Sequence, residues 1–358
     1  MTKVQNNIMA AGTSIRYRIL TENLILLAIL AVLIIGAAGL GYMHIAMGDV
    51  CRIVIGTWFN MPEMLSSIAD NAAAVVIDVR LPRIMAAVVV GSGLALSGAV
   101  YQGVLLNPLA DPFTLGISAG AAFGASVALL FFPSTAFYVL PVAAFIGATL
   151  TLFAVIFLAT GRTFSRDGVS AGSLILSGII VSAILSAGIS FLKYLADEQV
   201  SIIIFWLMGS FAAKTWLEVG IAAVVVITGF LVIYYFSRDL NVISLGDRMA
   251  ASLGVDTKKT ILCLLLTASC VAAVCVAISG IIGFVGLLVP HMMRSWTGPD
   301  NRRLLPVCVL AGAILMLSAD TVTRAVLPAE IPIGVLTALI GGPVFCWIFR
   351  KNRIEGRV

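Results

Sequence analysis

Arg80 and Arg83 stand three residues apart around Pro82, at the head of a long uncharged run, and Arg324 closes another such run. A guanidinium carries a planar fork of donors that matches a carboxylate bidentately, so arginines at a membrane edge suit the anchoring of a partner's carboxylates. Snorkelling to lipid headgroups is their plainer use. A second constellation is Asn107-Pro108-Leu109-Ala110-Asp111-Pro112. Its prolines disfavour helix in the residues before them, which leaves irregular backbone between two apolar runs. Such backbone survives at a membrane edge where it is buried in protein or lines a wet cavity, so the stretch reads as a gate or as a simple tight turn. The third lies between Ser237 and Lys259. There Leu245-Gly246-Asp247 is a turn-and-cap signal, Met249 to Leu253 a short helical patch and Gly254 its cap. A short amphipathic helix on a loop fits a soluble partner, or else a solvated connector. Gly116, Gly120 and Gly124 recur every four residues, the spacing of close helix packing.

No catalytic and no metal-binding constellation is read. His44 and His291 are the only histidines, far apart, and neither belongs to an HExxH pattern. The six cysteines, Cys51, Cys263, Cys270, Cys275, Cys308 and Cys346, form no CxxC pair and read as small packing residues. There is no Walker A pattern, so nucleotide hydrolysis must belong to another chain. A proton- or sodium-coupled carrier needs an ionisable group near the membrane midplane, and only Asp320, near one end of a run, comes close.

These residues must be carried by apolar helices. The chain has 358 residues, 61% hydrophobic and 11% charged, the composition of a polytopic helical membrane protein. The runs are continuous rather than alternating, which disfavours a barrel. Ten crossings are expected, near residues 22–43, 82–104, 113–132, 137–160, 172–193, 216–236, 260–279, 281–296, 306–322 and 332–349. Ile202 to Ala213 is apolar but too short to span and reads as re-entrant or interfacial. An outer segment holds Trp58, Pro62, Asp70 and Asp78, and a short inner loop holds Arg162 and Arg166. Of the 22 Lys and Arg residues, this topology puts sixteen on one face and six on the other, which assigns both termini to the cytoplasm. The formal charge of +5 therefore reports orientation, and nucleic acid is not a partner. The first run, Leu24 to Gly41, reads as a retained helix rather than a signal peptide.

Residues 1–353 are read as one transmembrane domain with its longest inner loop at 238–259, and 354–358, which carry the protease-site sequence Ile354-Glu355-Gly356-Arg357, as a tag remnant. Leu94 to Pro108 aligns without gaps on Val276 to Pro290, sharing six of fifteen residues. The two windows end crossings of opposite direction, so the similarity reads as an inverted repeat.

Several long motifs carry a family resemblance over nearly the whole chain: VRLPR at Val79, SGAVYQGVLLNPLADPFTLGISAGAAFG from Ser97, the SLGD...SLGV loop from Ser244, SGIIGFVGLLVPH from Ser279 and PIGVLTALIGGPVF from Pro332. The sequence resembles the FecCD-type permeases, membrane subunits of ABC importers for iron-siderophore, haem and cobalamin. The resemblance implies an all-α fold of ten helices, the type II importer permease fold, in a bacterial cytoplasmic membrane. It implies a second permease copy in a homodimer, a pair of cytoplasmic ATPases that hold ATP and Mg, an external substrate-binding protein, and no cofactor bound directly. Position by position, Arg80, Arg83 and Arg324 match arginines that dock binding-protein glutamates, and Asn107 and Leu109 match a cytoplasmic gate. Leu245, Gly246, Asp247, Arg248, Ala250, Leu253 and Gly254 match the helices seated on the ATPase. A second gate segment carries Thr-Ser in the cobalamin member. Ala171-Gly172 stand there in this chain, a departure that removes the hydroxyls and weakens the case for a cobalamin substrate. The expected function is inward transport of a bulky iron chelate, haem or corrinoid, powered by partner ATPases. The alternatives are an ion-coupled secondary carrier acting alone and a non-transporting scaffold or receptor.

Overall fold

A computed structural model describes residues 2–41, 43, 45–61, 68, 70–160, 171–325 and 330–354, and among them every regular element is helical. In chain order these are α1 (Thr2–Gly39), α2 (Met47–Trp58), α3 (Leu81–Val104), α4 (Ile117–Phe131), α5 (Ala136–Thr160), α6 (Ala171–Leu195) and α7 (Val200–Leu207). There follow α8 (Trp216–Tyr235), α9 (Ser237–Ile243), α10 (Asp247–Ser252), α11 (Thr257–Ser279), α12 (Val285–Thr297), α13 (Asn301–Ala325) and α14 (Ile333–Ile354). Among the described residues seven helical stretches are long and apolar enough to cross a membrane, α4 and α14 hold shorter apolar stretches, and α12, near the eighth expected crossing, has 13 residues. Helices are the only open-ended solution in lipid, because each segment satisfies its own backbone.

The hub is α3, buried from Val89 to Val104 without interruption. Its small and polar residues are what let it sit there. Ser92 Oγ donates to Val309 O (3.1 Å), Ser97 Oγ to Ala268 O (2.8 Å) and Gln102 Nε2 to Leu287 O (3.0 Å), and the Tyr101 hydroxyl pairs with that of Ser269. One helix is thereby tied to α11, α12 and α13, each link contributing about 0.6 kcal/mol by the measured average for interhelical bonds in membranes. Where α3 carries glycine, the neighbour's backbone comes to it: Gly91 lies against Gly312 of α13, and Gly98 against Gly286 of α12. Gly120 and Gly124 likewise lie against the backbones of Gly147 and Ala143 on α5, so the glycine spacing is helix packing, as the plainer reading had it.

Several boundaries differ from expectation for identifiable reasons. The helix leading into α3 starts at Asp70 and passes through a π-helical stretch, Val75–Arg80, whose last residue, Arg80, is buried inside the protein. Within that stretch Ile77 O accepts from Trp216 Nε1 (3.0 Å). Helix α4 starts at Ile117 because Gly116 is left-handed (φ 76°), and α12 starts at Val285, not 281, after the positive-φ residues Gly280 and Phe284. The two windows of the expected repeat therefore fold differently: 94–104 is unbroken helix, whereas 276–290 is interrupted between Ser279 and Val285. They touch each other through Gly98 and Gly286.

The short apolar segment does not span. Helix α7 stops at Leu207, and the chain turns at Gly209 (φ 74°). Its backbone is then satisfied by two other chain breaks, with Ser210 N donating to Ser279 O (2.8 Å), Ile333 N to Gly209 O (3.2 Å) and Gly334 N to Met208 O (3.0 Å). Irregular backbone is tolerated here because other backbone completes it. Helix α8 opens with a capping box in which Thr215 Oγ1 accepts from Glu218 N (3.3 Å) and Glu218 Oε2 from Thr215 N (2.9 Å). Arg162, Arg166, Pro62 and residues 355–358 lie outside the described residues.

Candidate functional site

The structure brings Arg80, Arg83 and Arg324 to one end of the molecule, around the end of α1. Arg80 is only 5% exposed, its Nη1 donating to Ala38 O (2.8 Å) and Gly39 O (3.3 Å) and its Nη2 to Met43 O. Arg324 donates from Nη1 to Leu40 O (2.6 Å) and from Nη2 to Ala37 O (2.5 Å). The last carbonyls of a helix have no intrahelical partner and form its negative pole, so two guanidiniums there complete α1. Arg83 instead grips Asp320 with Nε at 3.0 and 3.1 Å from the two carboxylate oxygens and Nη2 at 2.9 Å, and also reaches Glu330 Oε1 at 2.5 Å. Asp320 is fully buried, with Arg324 Nε a further 3.5 Å from it.

The three arginines thus gather at one end of the molecule, but they are not the exposed side chains that were expected. The carbonyls at the end of α1 and a buried carboxylate already occupy the forks, and the partner carboxylate that faces solvent is Glu330, half exposed, on Arg83. No sequence signal marks carbonyls as partners, whereas Asp320, an acid near one end of an apolar run, was a visible one. Replacing Arg80 with alanine is expected to orphan carbonyls at the end of α1, at a cost of about 2 kcal/mol. A lower melting temperature of the purified protein, with faster amide exchange at residues 37–41, checks this; an unchanged protein contradicts it.

At the opposite end of α3, Asn107 Oδ1 accepts from Leu109 N (2.9 Å) and Asn107 O from Ala110 N (3.0 Å). Asparagine here folds the turn on itself, with Leu106 (φ 48°) and Leu109 exposed on its surface. Asp111, buried, closes the next turn by accepting from Thr114 N (3.0 Å) at Oδ1. Gly178 of α6 lies against the backbone of Thr114 and Leu115. Ala171 and Gly172 form the first turn of that same helix, about 10 Å along its axis from Gly178. Through Gly178, the helix that Ala171 and Gly172 open packs against the stretch that follows the Asn107–Leu109 turn.

The loop between α8 and α11 carries the third set. Gly246 has φ 99° and ψ 151°, a conformation open to glycine, and the six-residue α10 follows it. Gly254 (φ 84°) closes α10, with its N–H bonded to Ala251 O (3.1 Å) and the Val255 N–H to Ala250 O (3.1 Å), a paired cap that satisfies the helix's last carbonyls. Ala250 is buried beneath, while Leu245, Met249 and Leu253 are 66, 54 and 60% exposed. Three large apolar side chains, one on α10 and one at each of its flanks, form a knob. Asp247 and Arg248 lie in α10, but their side chains lie outside the described residues. Met249 belongs with the knob's Leu245 and Leu253, and its helical spacing from them was the available signal.

Among the described residues no group of three metal-ligating side chains comes together. Asp320, the one acid that suggested ion coupling, is held by Arg83 and Arg324.

Comparison with known proteins gives a consistent set of likenesses. The FecCD transport family matches residues 25–351. A cobalamin import system permease protein of Halobacterium salinarum is 41% identical over 288 residues, which cover 80% of this chain and 76% of that protein. A hemin transport system permease protein of Yersinia pestis is 38% identical over 335 residues, 92% of this chain and 95% of that one. A solved structure described as the inward-facing conformation of a metal-chelate type ABC transporter superposes with a TM-score of 0.78 at 35% identity, covering 92% of this chain and 98% of its own.

Proposed function

The chain belongs to the FecCD transport family, and from that membership we infer that it is the membrane-spanning permease subunit of an ATP-binding-cassette importer. The observation that carries this reading in the molecule itself is the capped α10 knob, whose exposed Leu245, Met249 and Leu253 suit burial in a groove of a soluble partner. That partner is a cytoplasmic ATPase dimer, which hydrolyses ATP with Mg on its own chains. Two permease copies form the pathway, in the cytoplasmic membrane with both termini inside, and an external binding protein delivers the substrate.

Docking takes place at the arginine end. Arg83 is the point of exchange, because its bond to the half-exposed Glu330 is the one a partner carboxylate can replace. Arg80 and Arg324 act behind it by holding α1. At the other face the Asn107–Leu109 turn and the start of α6 at Ala171 and Gly172 form the inner gate, without a hydroxyl at either segment. The substrate is a bulky iron chelate, haem or corrinoid, in keeping with relatives named for cobalamin and hemin at similar identity. The absorption spectrum of the ligand retained by the cognate binding protein tests this. A Soret band, corrin bands or a ferric charge-transfer band is expected, and a colourless ligand contradicts all three assignments.

A further inference from the structure

Helix α10 has six residues, far too few to hold a direction by itself, so whatever fixes its base decides where force on the knob goes. That base is α9, with Leu240 and Ile243 buried and Leu240 seated against Gly103 of α3. Its polar side carries Asn241, which uses both ends of its amide. Nδ2 donates to Asp300 Oδ1 (2.7 Å), and Oδ1 accepts from Asn301 N (2.8 Å) and Asn301 Nδ2 (2.8 Å). Asn301 is 1% exposed. Asp300 in turn starts α13, accepting from Arg302 N at Oδ1 (3.0 Å) and from the Arg302 guanidinium (Nη2, 2.8 Å). Burial works to raise the Asp300 carboxyl, and the hydrogen bonds from Arg302 and Asn241 overcome it and hold the group below the ordinary carboxylate value. Helix α13 continues from this clasp to Asp320 and Arg324, which hold Arg83 and the end of α1.

We propose that Asn241 is a positioning residue that fastens the ATPase-coupling knob to the first turn of α13 through Asp300 and Asn301, making α13 the strut between the ATPase contact and the arginine end. The proposal rests on the reading of α10 as the coupling helix. It assigns no contact with substrate or nucleotide to Asn241; its effect passes through α10.

The test uses the complete importer, with its ATPase and binding protein, in lipid nanodiscs. Two quantities are read: co-purification of the ATPase, and stimulation of ATP hydrolysis by the binding protein offered with haemin, ferric citrate or cobalamin. Asn241→Asp sets a carboxylate against that of Asp300, and stimulation is expected to fall about tenfold while co-purification persists. The exchanged pair Asn241→Asp with Asp300→Asn again opposes a donor to an acceptor and keeps a good helix cap, so stimulation returns. A merely structural residue would lower assembly and would not regain coupling by exchange. Should Asn241→Asp fail to assemble, Asn241→Ala carries the test: lost stimulation with the ATPase retained supports the clasp, and full stimulation overturns it. Gly246→Trp separates the two readings, since it strains the turn before α10 without touching the clasp. If it uncouples hydrolysis while Asn241→Asp does not, the clasp is overturned and the coupling helix stands. If neither variant changes coupling, both fall.

Discussion

Replacing Gly98 with leucine is expected to leave almost no folded permease. A Cβ at that position falls on the backbone of Gly286, which cannot step aside as a side-chain tip could. Both sides of the contact are helices fixed elsewhere, α3 by Ser97 on Ala268 and α12 by Gln102 on Leu287. Overpacking a core with flexible neighbours costs about 1–3 kcal/mol, and separating two backbones adds the loss of these buried bonds. Size-exclusion of the detergent-extracted protein should show aggregate in place of a single species. Gly98→Ala should fall between leucine and the native residue, and a monodisperse Gly98→Leu protein would refute the account of α3 as a close-packed hub.

The second large effect is functional and leaves the fold alone. Leu245 and Leu253 are largely exposed in the single chain, so replacing both with aspartate removes little internal packing. On the partner's surface each leucine's burial is worth about 2 kcal/mol, so the pair should weaken ATPase binding by about a thousandfold. Co-purification should fail and uptake should vanish while the extracted permease remains monodisperse. Retention of the ATPase at native affinity would show that α10 is not its seat.

How far the chain could be read from sequence depended on where each residue found its partner. The apolar helices and the capped turn before α11 were legible because they rest on local signals: apolar length, and glycines at 246 and 254 that cap a short helix. The glycine contacts were legible in kind, since small residues at helical spacing imply close approach, though not which helix approaches. The arginines were legible in position alone. Their partners are main-chain carbonyls at the end of α1, 42 residues from Arg80 and 287 from Arg324 in sequence, and an aspartate on α13, and neither follows from spacing. The starts of α4 and α12 were missed because a left-handed residue fixes each, and Phe284 is not a residue type that announces it. Asn241, Asp300 and Asn301 gave no signal at all, lying on α9 and at the start of α13, which only the fold brings together.

The central claim, that this chain is the permease of an ATP-driven importer, is tested most directly by uptake into proteoliposomes. The permease is reconstituted with its ATPase, ATP is supplied to the ATPase face, and the binding protein is presented on the other side with radio-iron citrate, haemin or cobalamin. Accumulation is expected only with ATP and all components, and it should persist when ionophores collapse the proton and sodium gradients. Accumulation by the permease alone, driven by an ion gradient with no ATPase present, would contradict the account.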